Sequence, residues 1–399
     1  MSGRRVFFYV QHLLGIGHLR RAATIARALR KEGLSVAFLS GGPPVAGLDL
    51  GGAELVQLPP ALTADAAFSG LVDADGRPVD AAWRERRRAA LLEAFDRIDP
   101  QVVLIELFPF GRRAFRFELL PLLEAAAKRR PRRPACVSSV RDILVAKNDP
   151  GRLAETVSVT RRYFDRVLVH GDPRLVRFDA TFAAATDIAD LLHYTGYVVD
   201  GERPTERPGE RGKDGEGEVL VSAGGGAVGE ALLRTALAAR PLTSLKAAPW
   251  RFVTGTNMPE AAAAALAAAA PAGVVVERFR EDFPNLLRNC RLSISQGGYN
   301  TVLELLCAGA RAVIVPFARG GETEQTLRAQ LLAERGLCTV VDESGLTPEK
   351  LAAAIEAALA AGPARIGDID VAGAAATARA VAALATAAAD GTLPPLPRR

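Results

Sequence analysis

The chain has 399 residues, enough for two domains, or three, of the usual size. Apolar residues make up 49% and charged residues 24%, which excludes a disordered chain, a collagen-like fibre and a small disulfide-stapled scaffold. The net charge of +5, carried by 44 Arg and six Lys against 45 acidic residues, is mild; it suits anionic small ligands or acidic lipids and excludes a long nucleic-acid interface.

Short apolar runs alternate with helical patterns from the start. Arg5–Val10 (RVFFYV) reads as a buried strand. A helix is predicted from about His18 to Glu32, with Ala22, Ile25, Ala26 and Leu29 on one face and Gly33 as its stop. Further strands are predicted at Ser35–Ser40, Gln101–Glu106, Ala135–Ser139 and Arg166–His170. Continuous Val/Ile/Leu strands separated by helices imply a parallel sheet covered on both faces. Asp200–Gly217 holds no apolar residue and reads as a linker. Strand–helix alternation then resumes, with strands at Glu218–Ser222, Trp250–Thr254, Val274–Phe279, Arg291–Ser295, Arg311–Pro316 and Cys338–Val341. The expected fold class is α/β, with two doubly wound Rossmann-like domains, 1–199 and 218–399, joined by 200–217 and facing each other across a cleft. The last helix could pack back on the N-terminal domain. Cys136, Cys290, Cys307 and Cys338 form no C-x-x-C pair and are expected to be buried thiols in a reducing cytosol. The N-terminal basic-then-apolar stretch is broken by Gln11 and His12, unlike a secretory signal. The uncharged run Ala261–Val276 contains Pro271 and falls short of the ~20 residues a membrane-spanning helix needs. A cytoplasmic location is expected, with the inner face of a membrane left open.

Ligands of such sheets bind beyond the carboxyl ends of the strands, so loops following strands carry the chemistry. The first is Gly15-Ile16-Gly17-His18-Leu19-Arg20. A dinucleotide fingerprint needs glycine where Arg20 stands, which argues against a nicotinamide cofactor. His18, at the helix start, is either a surface or capping residue or a base or phosphate ligand. The second is Ala223-Gly224-Gly225-Gly226-Ala227, where backbone can approach a phosphate or a neighbouring domain. The third is Ser295-Gln296-Gly297-Gly298-Tyr299-Asn300-Thr301, which bares a helix N-terminus suited to a diphosphate. Glu304 lies one turn further on, where a carboxylate could take the hydroxyls of a ribose. Glu324 and Gln325 open a later helix and offer acceptors to sugar hydroxyls, or are ordinary first-turn residues.

Ser295–Leu337 (SQGGYNTVLELLCAGARAVIVPFARGGETEQTLRAQLLAERGL) resembles the donor-binding half of GT-B glycosyltransferases. Among these it is most similar to glycosyltransferase family 28, the group of the bacterial peptidoglycan N-acetylglucosaminyltransferase. The resemblance implies a nucleotide-diphosphate sugar donor, UDP-linked, and no separate cofactor. It implies that Gly298, Tyr299, Asn300 and Thr301 hold the diphosphate, Glu304 the ribose, and Glu324 and Gln325 the donor sugar. Phe279 would pack near the base and the Arg280 backbone would read its edge. Gly17, Gly224, Gly225, Gly226 and Gly297 would lie by the phosphates, with His18 near the reacting centre. Family members often carry Gln-Gln or Asp-Gln where this chain has Glu324-Gln325.

The implied reaction is inverting displacement without a metal, helix N-termini and glycine amides stabilising the leaving group. Asp73-Ala74-Asp75 and Asp368-Ile369-Asp370 match a metal-binding Asp-x-Asp literally but follow no core strand, and are read as turn carboxylates. His18 is the first candidate base, Glu106 the second and Asp142 the third; a carboxylate at a strand end can equally cap the next helix. The acceptor is unknown, a lipid-linked or cell-envelope glycan being expected. Arg and aromatic residues interleave in 83–88 and 107–133, which reads as either an amphipathic helix with a solvated basic face or a peripheral membrane contact. Two other functions fit the same loops: hydrolysis of a nucleotide-sugar, and a donor-binding subunit of a membrane-associated transferase.

Overall fold

A computed structural model describes residues 4–13, 16–64, 70–144, 149–199, 214–225, 228–318, 323–363 and 369–396. The chain divides into two compact units, Met1–Val199 with Asp370–Arg399, and Asp200–Ile369.

The first unit runs β1 (Arg5–Val10), α1 (Gly17–Lys31), β2 (Ser35–Ser40), β3 (Glu54–Gln57), β4 (Leu62–Thr63), β5 (Leu71–Val72), α2 (Ala81–Ile98), β6 (Val102–Glu106), α3 (Arg116–Lys128), β7 (Ala135–Arg141), α4 (Pro150–Tyr163), β8 (Arg166–His170) and β9 (Leu192–Tyr194). Seven strands form a parallel sheet in the order β3-β2-β1-β6-β7-β8-β9, while β4 and β5 pair antiparallel apart from it. Alternation along β1 feeds two cores. Val6, Phe8 and Val10 pack with Leu19, Ile25 and Leu29 of α1. Phe7 and Tyr9 pack on the other face with Leu91 and Phe95 of α2 and Leu119 and Leu123 of α3. Helix starts follow their capping chemistry: Asp80 accepts the Trp83 amide before α2, and Asp149 accepts two amides before α4, with Pro150 at its first turn.

The second unit runs β10 (Val219–Ser222), α5 (Glu230–Ala239), β11 (Trp250–Val253), α6 (Glu260–Ala268), β12 (Val274–Glu277), α7 (Phe283–Asn289), β13 (Leu292–Ser295), α8 (Tyr299–Ala308), β14 (Ala312–Ile314), α9 (Glu324–Glu334), β15 (Thr339–Val340) and α10 (Pro348–Ala361). Its six strands are parallel, ordered β12-β11-β10-β13-β14-β15. α11 (Gly373–Asp390) returns to the first unit, where Val381 and Ala385 join the core beneath α1.

Several expectations need correction. β3, β4, β5 and β9 carry no strong apolar run and are absent from the sequence reading. Asp200–Lys213 lie outside the described residues, but the linker's last part is fixed: Asp214 pairs with Arg251 at 3.2 Å and with Arg280. Only Cys136 is fully buried; the other three cysteines are partly exposed, and all four are free thiols. Segments 83–88 and 107–133 hold several internal ion pairs beside exposed basic residues such as Arg84, Arg86, Arg130 and Arg132. Arg87 is 0% exposed, its guanidinium bonded to Glu118, Gln11 and backbone carbonyls, and Trp83 covers it. Arg113 and Arg116 pair with Glu155, Arg129 with Asp96 and Asp99, and Arg133 with Asp165. These carboxylates are 25 or more residues away in sequence or on other elements, so nothing local in the sequence marks the pairs.

Candidate active site

The parallel strands of the first unit end in one row of polar side chains. Glu106 closes β6, Ser139 and Arg141 close β7, His170 closes β8, and Thr195 follows β9. The loop after β1 leads to His18 in the first turn of α1, whose start has no side-chain cap. Glu106 is fully buried and ion-paired with the equally buried Arg21. Its Oε1 lies 2.9 Å from His18 Nδ1, and its Oε2 accepts from Ser139 Oγ at 2.7 Å. Ser139 Oγ lies 2.8 Å from His170 Nε2, and His170 Nδ1 lies 2.9 Å from Thr195 Oγ1.

The ionisation of Glu106 fixes the direction of the bonds around it. Burial opposes ionisation of Glu106, but Arg21, His18 and Ser139 outweigh it and hold the carboxyl well below its ordinary range. An ionised carboxylate only accepts. His18 therefore donates through Nδ1, leaving Nε2 with its lone pair. Ser139 spends its one proton on Glu106 and so accepts from His170 Nε2–H, while His170 Nδ1 faces the Thr195 hydroxyl, which also lies 3.1 Å from the Gly196 carbonyl. Both imidazoles are neutral. Burial, then Arg141, lowers His18 to about 3 against the hydrogen bond it gives to Glu106, and burial lowers His170 to about 3. The result is a partly exposed histidine whose Nε2 is held as a proton acceptor by a buried carboxylate, the arrangement of a general base and its orienting group.

Of the candidate bases, the structure thus joins His18 and Glu106 and separates Asp142 from them in role. Asp142 is fully buried, accepting from Tyr197 Oη at 2.6 Å and from the Ile143 amide. Ser139, His170, Arg21 and Arg112 escape the sequence reading; the available signal is that Ser139 and His170 sit at or near the ends of predicted strands.

In the second unit, α8 begins at Gly298 without a side-chain cap. The first-turn amides of Tyr299, Asn300 and Thr301 lack helical acceptors, and the dipole adds positive potential there. A side chain on Gly298 would meet nothing within 4 Å, so this end is open. Gly224, at φ +57, turns the loop after β10 so that a Cβ there would lie 3.8 Å from Thr301 Oγ1. Gly225 accepts the Asn257 amide at 2.9 Å, and Gly226 lies outside the described residues. Glu304 is half-buried on the same face of α8 as Thr301. Gly297 backs against Gln325, whose Oε1 accepts the Phe317 amide at 3.1 Å. Glu324 is turned inward to Arg328 at 2.9 Å, and Arg328 stacks on Tyr299. Phe279 is 48% exposed after β12. The Arg280 side chain is held by Asp282 and Asp214, which fixes the loop while leaving its backbone to any ligand. Of the Asp-x-Asp pairs, Asp73 accepts the Asp75 and Arg77 amides in a turn; Asp368 is outside the described residues.

The glycosyltransferase family 28 C-terminal domain model matches residues 219–379. The second half of this chain is thus similar to that domain. The matched region contains β10 to α10 and the first part of α11, and with them every candidate donor residue except Gly17. His18 and Glu106 lie outside it. Among curated relatives, the UDP-N-acetylglucosamine–N-acetylmuramyl-(pentapeptide) pyrophosphoryl-undecaprenol N-acetylglucosamine transferase of Thiobacillus denitrificans is 33% identical over 190 residues, 45% of this chain and 51% of that protein. The chain thus spans about half the length of the curated relatives it matches. Among solved structures, the glycotransferase of kitacinnamycin superposes with a TM-score of 0.61 at 18% identity, covering 99% of this chain and 100% of that one. MurG of Acinetobacter baumannii superposes at 0.58 and 17%, covering 96% and 99%. The fold is that of GT-B glycosyltransferases.

Proposed function

We propose that the protein transfers a sugar from a nucleotide-diphosphate donor, UDP-linked, to an acceptor hydroxyl with inversion and without a metal. The observation that carries this reading is the uncapped N-terminus of α8, faced by Gly224 inside the region similar to a family 28 domain. Its amides and dipole suit a diphosphate, and they meet the charge that develops on it as it leaves. Glu304 takes the ribose hydroxyls, and Gln325 meets the donor sugar through its amide nitrogen. On the acceptor side, His18 Nε2 removes the hydroxyl proton; the acceptor oxygen bonds to the anomeric carbon as the bond to the diphosphate breaks. One displacement inverts that carbon. Glu106 holds His18 in the tautomer this needs and stabilises the imidazolium formed. The names of the relatives favour an acceptor carried on a polyprenyl diphosphate, met at the inner face of a membrane; no described helix is long and apolar enough to cross one.

The test is product analysis with UDP-sugars, with and without a membrane-lipid extract and with a chelator present. The proposal expects acceptor-dependent release of UDP and a new glycoside of inverted configuration, unaffected by chelation. Stoichiometric free sugar from donor alone overturns it in favour of hydrolysis.

A further inference from the structure

The loop that follows β12 is held from both sides. Arg278 donates to the Thr256 and Met258 carbonyls, each at 2.8 Å, and to Glu260 at 2.9 Å, which ties it to the start of α6. Its own carbonyl accepts the Gly255 amide at 3.0 Å. Arg280 reaches the other way. Its guanidinium donates to both oxygens of Asp282, at 2.8 and 2.7 Å, and pairs with Asp214. Between these two anchored arginines stands Phe279, a large apolar ring that is nevertheless 48% exposed. An exposed aromatic on a fixed backbone is a stacking surface for a planar ring. Asp214 closes the network, its two oxygens going to different arginines: Oδ1 accepts from Arg251 at 3.2 Å and Oδ2 from Arg280. Arg251, 9% exposed on β11, is bonded in turn to Glu218 at 2.7 Å and Glu277 at 2.8 Å, one just before β10 and the other closing β12. The backbone of Asp214 is fixed as well. Its carbonyl accepts from Asn289 Nδ2 of α7 at 2.8 Å, and Gly215, at φ +85, lies so close to Leu286 that a Cβ would stand 3.1 Å from it. An isolated surface ion pair holds little, but a carboxylate bridging two arginines within a network is directional.

We infer that Asp214 is a positioning residue for the base of the donor: through Arg280 it holds Phe279 as a rigid platform on which a planar heterocycle stacks. The inference rests on the proposed nucleotide-donor reading and adds to it a residue of the linker stretch, outside the glycine loops. Asp214 need not touch the ligand. A ring that is already held loses less freedom when a base stacks on it, so the clamp contributes affinity by preorganisation. Releasing the clamp weakens recognition of the base and leaves the diphosphate contacts at α8 as they are.

The full chain is titrated calorimetrically with UDP and with inorganic pyrophosphate, which has no base. Asp214→Asn should weaken UDP binding about three- to tenfold, as loss of a bridging charge-assisted pair requires, and leave pyrophosphate binding unchanged. The Asp214 side chain is 49% exposed and Arg251 keeps Glu218 and Glu277, so the variant strands no buried charge. Asp214→Glu, which keeps the charge, should recover part of the loss. Phe279→Ala should weaken UDP binding about tenfold, the worth of a base stacked on an aromatic ring. Asp214→Asn combined with Phe279→Ala should bind UDP no more weakly than Phe279→Ala alone, because Asp214 acts through that ring. Additive losses in the combined variant, or UDP affinity unchanged in Asp214→Asn or in Phe279→Ala, overturn the inference. Equal loss of UDP and pyrophosphate affinity in Asp214→Asn, the mark of a merely structural residue, overturns it too. In each of these cases saturable UDP binding by the parent chain leaves the donor reading standing. Absence of UDP binding by the parent refutes that reading, and the inference falls with it.

Discussion

Glu106→Gln removes one charge from a fully buried pair and leaves Arg21, whose side chain is 0% exposed, facing a neutral amide. The geometry changes little, since the amide is nearly isosteric. The cost is therefore mostly that of an uncompensated buried cation, about 3–5 kcal/mol. For a unit of this size each kcal/mol is worth roughly 2–4 °C, so the first unit should melt roughly 6–20 °C lower. Calorimetry on the full chain reads this directly, and UDP affinity, which the proposed function assigns to the second unit, should be unchanged. Adding Arg21→Met to the same protein should recover most of the loss, because a matched apolar pair is close to neutral. A single-variant cost below about 1 kcal/mol, the value of a surface pair, would refute the buried-charge reasoning, as would a double variant worse than the single.

Ser139→Ala or His170→Ala breaks the chain that orients Glu106; each should cost about 1–3 kcal/mol for the polar group left unpaired, and should broaden or shift the His18 Nδ1–H resonance while leaving UDP binding intact. Arg87→Ala should destabilise the fold by about 3–5 kcal/mol in chemical denaturation by stranding buried Glu118, whereas a membrane-contact residue would change vesicle binding and leave stability unmoved. Acid should destabilise the first unit. His18 and His170 protonate near 6.5 when unfolded and near 3 when folded, so stability is lost as pH falls from 6.5 toward 3, at up to ~1.4 kcal/mol per pH unit for each. Melting temperature against pH should flatten in His170→Gln; an unchanged slope would contradict the assignment of His170 as buried and neutral.

The two α/β halves are legible because their strands are buried on both faces and so read as unbroken apolar runs, as in RVFFYV and VVLIE. The donor loops were legible because glycines after a strand have few other uses. The short strands were not: β3 (ELVQ) is mostly exposed, and its place is set by pairing with β2 rather than by its own composition. Nor were the buried charges. Arg87 and Glu118 are separated by 31 residues, and Arg21 and Glu106 by 85, so nothing local marks either pair. The Ser139–His170 link forms only because β7 and β8 are neighbours in register, with Ser139 opposite Leu168. The ion pairs of the basic run in 107–133 escape the sequence for the same reason, their carboxylates lying on or just after α2, on α4 and just before β8.

The central claim is that a nucleoside diphosphate binds at the N-terminus of α8. The direct measurement is calorimetric titration of UDP, with thermal shifts for a panel of nucleotide-sugars, on the parent chain and on Glu304→Ala. The account predicts saturable UDP binding, with about 2.7 kcal/mol of added stability at a hundred times the dissociation constant, and about tenfold or greater loss of affinity in the variant. No stabilisation by any nucleoside diphosphate, or UDP affinity unchanged in Glu304→Ala, would contradict it.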